Sequence, residues 1–309
     1  MKVAVFDLGS NTTKLLVSEV DERGNSQVVV EESRACRLSS GGGAGFRFPD
    51  KSIERTLAVL GELLEIARGH EVIRMKAVAT EAFRKSENSR ELIAMVLTSH
   101  GLPISILSGQ EEAGAIATGL LSDPLIAHLD DFHAIDLGGG SMEVIAVNDR
   151  TVSALESLPL GAAVMSLRFC PDASCEWPDS LCLEARAYVA SLLASSNSLA
   201  FSVQCSSLVG AGGSLVFLRK ILAIEGEMEA EEKGVLKLSE VDNLFERISS
   251  MSLEERKENY PALPPARADI FPAGLLVLSE VMSYFNRTEI VHSYRNLRHG
   301  IAMELAIAG

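Results

Sequence analysis

The strongest constraint on this chain is a motif that it carries twice. His133-Ala134-Ile135-Asp136-Leu137-Gly138-Gly139-Gly140-Ser141-Met142-Glu143-Val144 can be laid over Ala4-Val5-Phe6-Asp7-Leu8-Gly9-Ser10-Asn11-Thr12. Each copy reads as an apolar, β-branched strand, then Asp-Leu-Gly, small residues and a second strand. Solenoid units recur every 20 to 50 residues or so, far closer than this, so the repeat predicts two related α/β domains facing each other. Length agrees, because 309 residues at roughly 150 per domain make two.

The remaining pattern fits α/β domains. Strands are predicted at 2 to 8, 13 to 20 and 26 to 35, with a hairpin at Gly9 to Thr12 and a turn at Asp21 to Asn25. A glycine loop from Ser39 to Gly45 precedes a helix from about 52 to 68, with Ile53, Leu57, Leu60, Leu64 and Ala67 on one face. Strand-like runs at 72 to 79 and 104 to 107 alternate with helical ones at 89 to 100 and 109 to 121. Later, Gly210-Ala211-Gly212-Gly213-Ser214 opens a helix at 214 to 224. A Pro-rich segment from Pro261 to Pro265 precedes an apolar helix at 273 to 285, and a short helix spans about 297 to 307.

Composition excludes several classes. At 47% hydrophobic and 23% charged, the chain is neither disordered nor collagen-like. Twenty-eight Lys and Arg against 42 Asp and Glu leave a net charge of −14, which argues against nucleic acid or anionic membrane as partner. A polyanionic ligand would have to be met by a local basic cluster or a divalent metal. No apolar run is long enough for a membrane helix, and Val3 to Phe6 is too short for a secretory signal. The five cysteines form no C-x-x-C pair, so reduced thiols in a cytoplasmic protein are expected.

A tight turn of Gly, Ser, Asn and Thr after a buried strand aims backbone N–H groups and hydroxyls at one point, which makes a phosphate cradle. An Asp at the strand end would repel phosphate, so its useful role is to hold Mg²⁺ that bridges to phosphate oxygens. Other routes to nucleotide or nucleophile chemistry are missing: no Gly-Lys dipeptide, no G-x-G-x-x-G, no G-x-S-x-G and no H-E-x-x-H. His70, His100 and His128 read as solvated bystanders. By themselves Glu111 and Glu112 read as favourable charge at a helix N-terminus, and Arg84 as half of a surface salt bridge.

Taken together, the motifs resemble the exopolyphosphatase and guanosine pentaphosphate phosphohydrolase (Ppx/GppA) family of the actin, hexokinase and Hsp70 superfamily, over nearly the whole chain. Phe6 to Leu15 looks like its first phosphate motif, and Ala79-Thr80-Glu81-Ala82-Phe83-Arg84 with Glu87-Asn88 its threonine-to-arginine segment. Ser108 to Ala113 with Gly119 is similar to its catalytic glutamate segment, and Ile135 to Glu143 to its second phosphate motif. Ser157 to Gly161, Gly210 to Ser214, Arg267-Ala268-Asp269 and Leu297-Arg298-His299-Gly300 follow in family order.

The resemblance implies two ribonuclease H-like (actin-like ATPase) domains facing a central cleft, residues 1–112 with 295–309 and residues 113–294. It implies Mg²⁺-dependent (or Mn²⁺-dependent) attack of water on the terminal phosphoanhydride of inorganic polyphosphate, short chains favoured. Guanosine pentaphosphate is the alternative substrate, and an ATP-dependent kinase of the same superfamily the alternative activity. A non-catalytic filament or nucleotide sensor on this fold is a further reading. By the family analogy Glu112 is the base on water, and Asp136 and Glu143 hold the metal. Gly138, Gly139, Gly140 and Ser141 cradle the terminal phosphate, with Asp7, Ser10, Asn11 and Thr12 on the opposite wall. Arg84 neutralises the leaving phosphate, and Lys14, Arg37 and Arg298 serve the rest of the anionic chain. A homodimer is compatible with the family. Departures from its pattern are Arg37-Leu38-Ser39-Ser40-Gly41, Glu81, Lys85 and the lack of a carboxy-terminal helical extension.

Overall fold

The computed structural model describes residues 1–21, 26–38, 45–172, 174, 176–196, 205, 207–229 and 232–307; residues 22–25 of the expected turn, 39–44 of the glycine loop and Cys175 lie outside them. The chain divides into two compact units, Met1–Pro124 with Arg295–Gly309, and Leu125–Tyr294. The boundary expected after residue 112 falls inside a helix, Gly109–Leu121, that belongs to the first unit.

In the first unit, β1 (Lys2–Leu8), β2 (Thr12–Val20), β3 (Ser26–Ala35), α1 (Asp50–Gly69), β4 (Arg74–Ala79), α2 (Glu81–Lys85), α3 (Ser89–His100), β5 (Ile104–Ile106) and α4 (Gly109–Leu121) follow in order. The sheet order is β3-β2-β1-β4-β5. Strands β1, β2 and β3 pair antiparallel, and β1, β4 and β5 pair parallel. Strand β1 is therefore central, which is why KVAVFDL is apolar on both faces and Val3 to Phe6 are fully buried. Edge strand β3 is half exposed along most of its length. Helices α1 and α3 pack on one face through Leu60, Leu63, Leu92 and Val96, against Phe6, Leu8 and Leu15.

The second unit carries β6 (Phe132–Leu137), β7 (Met142–Asn148), β8 (Thr151–Leu158), α5 (Ala162–Phe169), α6 (Asp179–Ser195), β9 (Ser207–Ala211), α7 (Gly213–Glu225), β10 (Val235–Lys237), α8 (Leu238–Ser249), α9 (Leu253–Asn259), α10 (Phe271–Tyr284) and β11 (Glu289–His292). Its sheet order is β10-β11-β9-β6-β7-β8. Helix α10 is buried nearly all round, as its continuous apolar sequence demands, and forms the middle of the second core.

The sequence repeat is thus a repeat of topology. Each unit has an antiparallel three-strand meander, β1-β2-β3 or β6-β7-β8, whose first strand continues into parallel neighbours. A register shift falls between Val17 and Ser18 in one and between Ala146 and Val147 in the other, at the same distance from the motif aspartate (17 − 7 = 146 − 136 = 10). The repeat extends to an irregularity that composition does not specify.

Helix α11 (Leu297–Ile307) belongs to the first unit, where it packs on β1, β2 and α4. Its crossing with α4 is made by glycines. A Cβ on Gly300 would lie 1.8 Å from the Ala115 carbonyl oxygen, and one on Gly119 would lie 2.3 Å from that of Asn296. Backbone atoms cannot retreat as a flexible side chain can. Gly119→Ala and Gly300→Ala should therefore each cost about 3 kcal/mol or more. Gly114 on the same helix α4 has nothing within 4 Å of its Cβ position, so Gly114→Ala should be neutral or stabilise by up to ~1 kcal/mol. Urea denaturation midpoints decide it; equal effects at the three positions would rule out the close crossing.

Candidate active site

The two Asp-Leu-Gly turns close in the same way. The Gly9 amide donates to the Thr12 carbonyl at 3.1 Å, and the Gly138 amide to the Ser141 carbonyl at 3.0 Å. This turn returns the chain antiparallel, so Asp7 faces Lys14 across β1 and β2, and Asp136 faces Glu143 across β6 and β7. The same position carries a cation in one unit and an acid in the other.

In the second unit, the carbonyls of Gly138 and Gly139 accept from the first amides of α5: Ala162 at 3.0 Å on Gly138, and Ala163 at 2.8 Å on Gly139. A trans peptide points its N–H opposite to its C=O, and the described chain has no cis bond. The amides of Gly139 and Gly140 are therefore turned away from α5, as a cradle requires. Gly161 permits this approach, since a Cβ there would lie 2.4 Å from the Gly139 carbonyl oxygen. Gly212, at φ +106°, presses on the end of β6; a Cβ would lie 2.8 Å from Oδ1 of Asp136. Glu143 is buried and accepts hydrogen bonds on Oε1 from the Ser141 and Ser157 hydroxyls, both at 2.8 Å.

In the first unit, Ser10, Asn11 and Thr12 are buried in the turn, and the Asn11 carbonyl accepts the amides of Cys36 and Arg37, both at 2.9 Å. Arg37 adopts a left-handed φ of +49° there, beside the turn, with its side chain exposed. The paired glutamates separate in role. Glu111 forms a capping box with Ser108: its carboxylate accepts the Ser108 amide at 2.8 Å, while the Ser108 hydroxyl accepts the Glu111 amide. That hydrogen bonding holds the Glu111 carboxyl below its ordinary pKa. Glu112 turns inward, and its Oε2 accepts from Nη1 of Arg84 at 2.9 Å. The same Nη1 donates to the Leu107 carbonyl, tying α2 to the start of α4. Arg84 is 24% exposed and Glu112 8%, so this pair is sheltered, unlike the surface bridge that a lone arginine suggests. Glu81 and Lys85, both departures from the family pattern, pair with each other across one turn of α2.

Arg298 is not placed for an anionic chain. It is buried, donating to the Leu15 carbonyl at 3.2 Å and to Glu31, and so ties α11 to β2 and β3. His100, read as a solvated bystander, is half-buried and hydrogen-bonds the Leu57 carbonyl through Nε2 at 2.9 Å. Among the described residues no three His, Cys, Asp or Glu side chains gather as metal ligands, so the acids side by side are the pair Asp136 and Glu143.

Besides that of His133 on β6, sequence reading missed the burial of two histidines. His292 ends β11 beside Arg219, and His299 on α11 accepts the Asn296 amide at 3.2 Å. Burial chiefly, and neighbouring arginines next, pull each to about 3. Nothing in a lone His marks it for the interior; only packing does.

Two α/β units with mixed five- and six-stranded sheets, each bearing a phosphate-type turn, define a protein of the actin-like ATPase fold. Residues 16–307 match the Ppx/GppA phosphatase family, and the chain belongs to it, a hydrolase acting on phosphoanhydrides. It is 28% identical to exopolyphosphatase 2 of Mycobacterium tuberculosis over 326 aligned positions, covering 99% of this chain and 98% of that one. It is 26% identical to the guanosine-5'-triphosphate,3'-diphosphate pyrophosphatase of Photobacterium profundum, covering 98% of this chain and 59% of the relative. An exopolyphosphatase structure from Cytophaga hutchinsonii superposes with a TM-score of 0.89 at 21% identity, covering 99% of this chain and 97% of that one. No helix among the described residues is long and apolar enough to cross a membrane.

The histidines give a pH dependence. Both have folded pKa values of about 3, against an ordinary value near 6.5, so the unfolded chain binds protons that the fold refuses. Their contribution to stability is complete above pH 6.5 and is lost as pH falls toward 3. The denaturation midpoint should therefore drop between pH 7 and pH 5, where most carboxylates are still ionised. A flat midpoint over that range would show that these imidazoles are not held neutral.

Proposed function

We propose that this chain is a magnesium-dependent exopolyphosphatase, releasing orthophosphate from the end of inorganic polyphosphate. The observation that carries the reading is the separation of Glu111 from Glu112. One is consumed by the helix cap, and the other is withdrawn from it and oriented by a sheltered guanidinium. A carboxylate serving only the helix terminus has no need of such a partner. The exopolyphosphatase name borne by the Mycobacterium tuberculosis relative, which matches this chain over its whole length, points the same way.

In this reading Glu112 orients water and takes its proton as the oxygen attacks the terminal phosphorus and the bond to the bridging oxygen breaks. Nη1 of Arg84 holds the carboxylate in place, and the rest of its guanidinium meets charge developing on the leaving phosphate. The turned-out amides of Gly139 and Gly140, with the Ser141 hydroxyl, hold the terminal phosphate oxygens. The turn at Ser10 to Thr12 gives the first unit a phosphate-type turn of its own. Two acids side by side among hydroxyls, with no thiol or imidazole, fit a hard cation such as Mg²⁺ or Mn²⁺, which takes one or two carboxylates and completes its shell with water and phosphate. Asp136 and Glu143 would hold it, and when bound it would supply positive charge at the phosphate oxygens.

With Arg298 committed to the fold, Lys14, Arg37 and Arg84 remain as cations for the substrate, in a chain of net charge −14. So few cationic contacts favour short chains and distributive cleavage.

Orthophosphate release should be measured in parallel from polyphosphates of defined length, guanosine pentaphosphate and ATP, with and without Mg²⁺. Glu112→Gln should lower turnover by a factor on the order of 10² to 10⁴ with substrate binding nearly retained. Glu111→Gln, which can keep the capping box, should stay near the parent. Turnover of Glu112→Gln within about threefold of the parent removes it from the mechanism. Faster hydrolysis of guanosine pentaphosphate than of every polyphosphate would transfer the assignment to that substrate. On gels, a partly digested long polyphosphate should shift downward as one population; full-length chains coexisting with orthophosphate alone would overturn distributive cleavage.

A further inference from the structure

We propose that Ser157 is a positioning residue for Glu143, fixing its carboxylate for a divalent cation through the hydroxyl on β8. This rests on the reading of Asp136 and Glu143 as the cation pair and names a residue that the reading leaves without a role. Asp136, Glu143 and Ser157 stand directly opposite one another across β6, β7 and β8. Directly paired residues in antiparallel strands share a face with Cβ atoms about 4.5–5.5 Å apart, so the three form one row on one side of the sheet.

Glu143 is only 2% exposed, and the last torsion of a glutamate is broad, so burial alone does not set the plane of its carboxylate. Two hydroxyls hold one of its oxygens, both donating to Oε1 at 2.8 Å, from Ser141 at the turn and from Ser157 one strand away. These two differ in a way that matters. Ser141 lies in the cradle itself, where its hydroxyl is needed by phosphate. Ser157 lies on the strand behind it and keeps hold of Oε1 whatever Ser141 does. A carboxylate anchored at one oxygen by a strand-borne hydroxyl presents its remaining lone pairs in a constant direction, and outer partners of this kind set metal affinity.

The test is Mn²⁺ binding to the whole chain without substrate, followed by electron paramagnetic resonance, beside the Mg²⁺ dependence of turnover. Ser157→Ala should weaken Mn²⁺ binding about tenfold and raise the half-saturating Mg²⁺ by a similar factor, with turnover at saturating Mg²⁺ changed less. Ser157→Thr, which keeps the hydroxyl, should bind Mn²⁺ within about threefold of the parent, and the near-isosteric Ser157→Val should behave as Ser157→Ala. If the alanine variant fails to fold, the threonine and valine variants decide by themselves, because both are well suited to a strand. Equal Mn²⁺ affinity in those two overturns the role of Ser157. Glu143→Gln separates that failure from a deeper one. Loss of Mn²⁺ binding in Glu143→Gln with Ser157→Ala unchanged defeats this inference alone, whereas unchanged binding in Glu143→Gln defeats the cation pair as well.

Discussion

One hydrogen bond, made twice, organises both halves of this molecule: a glycine amide at the end of a central strand closes onto the carbonyl three residues later. The bond turns the chain through a tight hairpin, in which a Cβ on Gly9 or Gly138 would lie 3.2 or 3.1 Å from the carbonyl oxygen it bonds. It therefore compels small residues at the turn and places the residue before the Leu-Gly opposite the residue seven positions on. From that one geometry come the phosphate-type turns, the Asp7–Lys14 pairing in one unit and the Asp136–Glu143 pairing in the other. A lysine stands opposite the aspartate in one unit, whereas a glutamate opposite the aspartate in the other sets two acids side by side. The two halves share this form and differ in charge at that position.

Glu112 is positioned by a different principle. Two consecutive acids at a helix start leave the helix by different faces, about 100° apart, so the capping box that takes Glu111 frees Glu112 to turn elsewhere. Arg84, on a helix of five residues, receives it there and ties the β5–α4 junction through the Leu107 carbonyl. Helix α4 in turn is held by backbone-to-backbone contact with α11 at Gly119 and Gly300. Positioning of the glutamate thus reaches to the chain's last helix, and the glycines of two motif segments serve the crossing rather than the substrate.

Much of the fold was legible in the sequence because its period was unambiguous. Apolar strands ended by Asp-Leu-Gly, helices with one apolar face, and a turn that only small residues can make left little choice. The geometry of the turns themselves was legible for the same reason. What escaped were side chains whose type is ordinary. Arg298 has the charge of a ligand for phosphate, and its burial against Glu31 follows from where α11 docks. His292 and His299 have no motif at all. Glu81 and Lys85 looked like separate departures from the family pattern, and only the pitch of α2 shows that they compensate one another.

The sequence by itself determined the class of the protein: the repeated strand-turn-strand motif, its small residues and its acids specify two α/β units with phosphate-type turns, since local backbone geometry depends on residues adjacent in the chain. Tertiary structure alone decided which of two neighbouring glutamates is sheltered by an arginine, which arginine is spent on packing, and which serine across the sheet holds Glu143. Those outcomes depend on strand register and helix docking, which bring together residues 14 to 283 positions apart, and no local pattern encodes the distance between them.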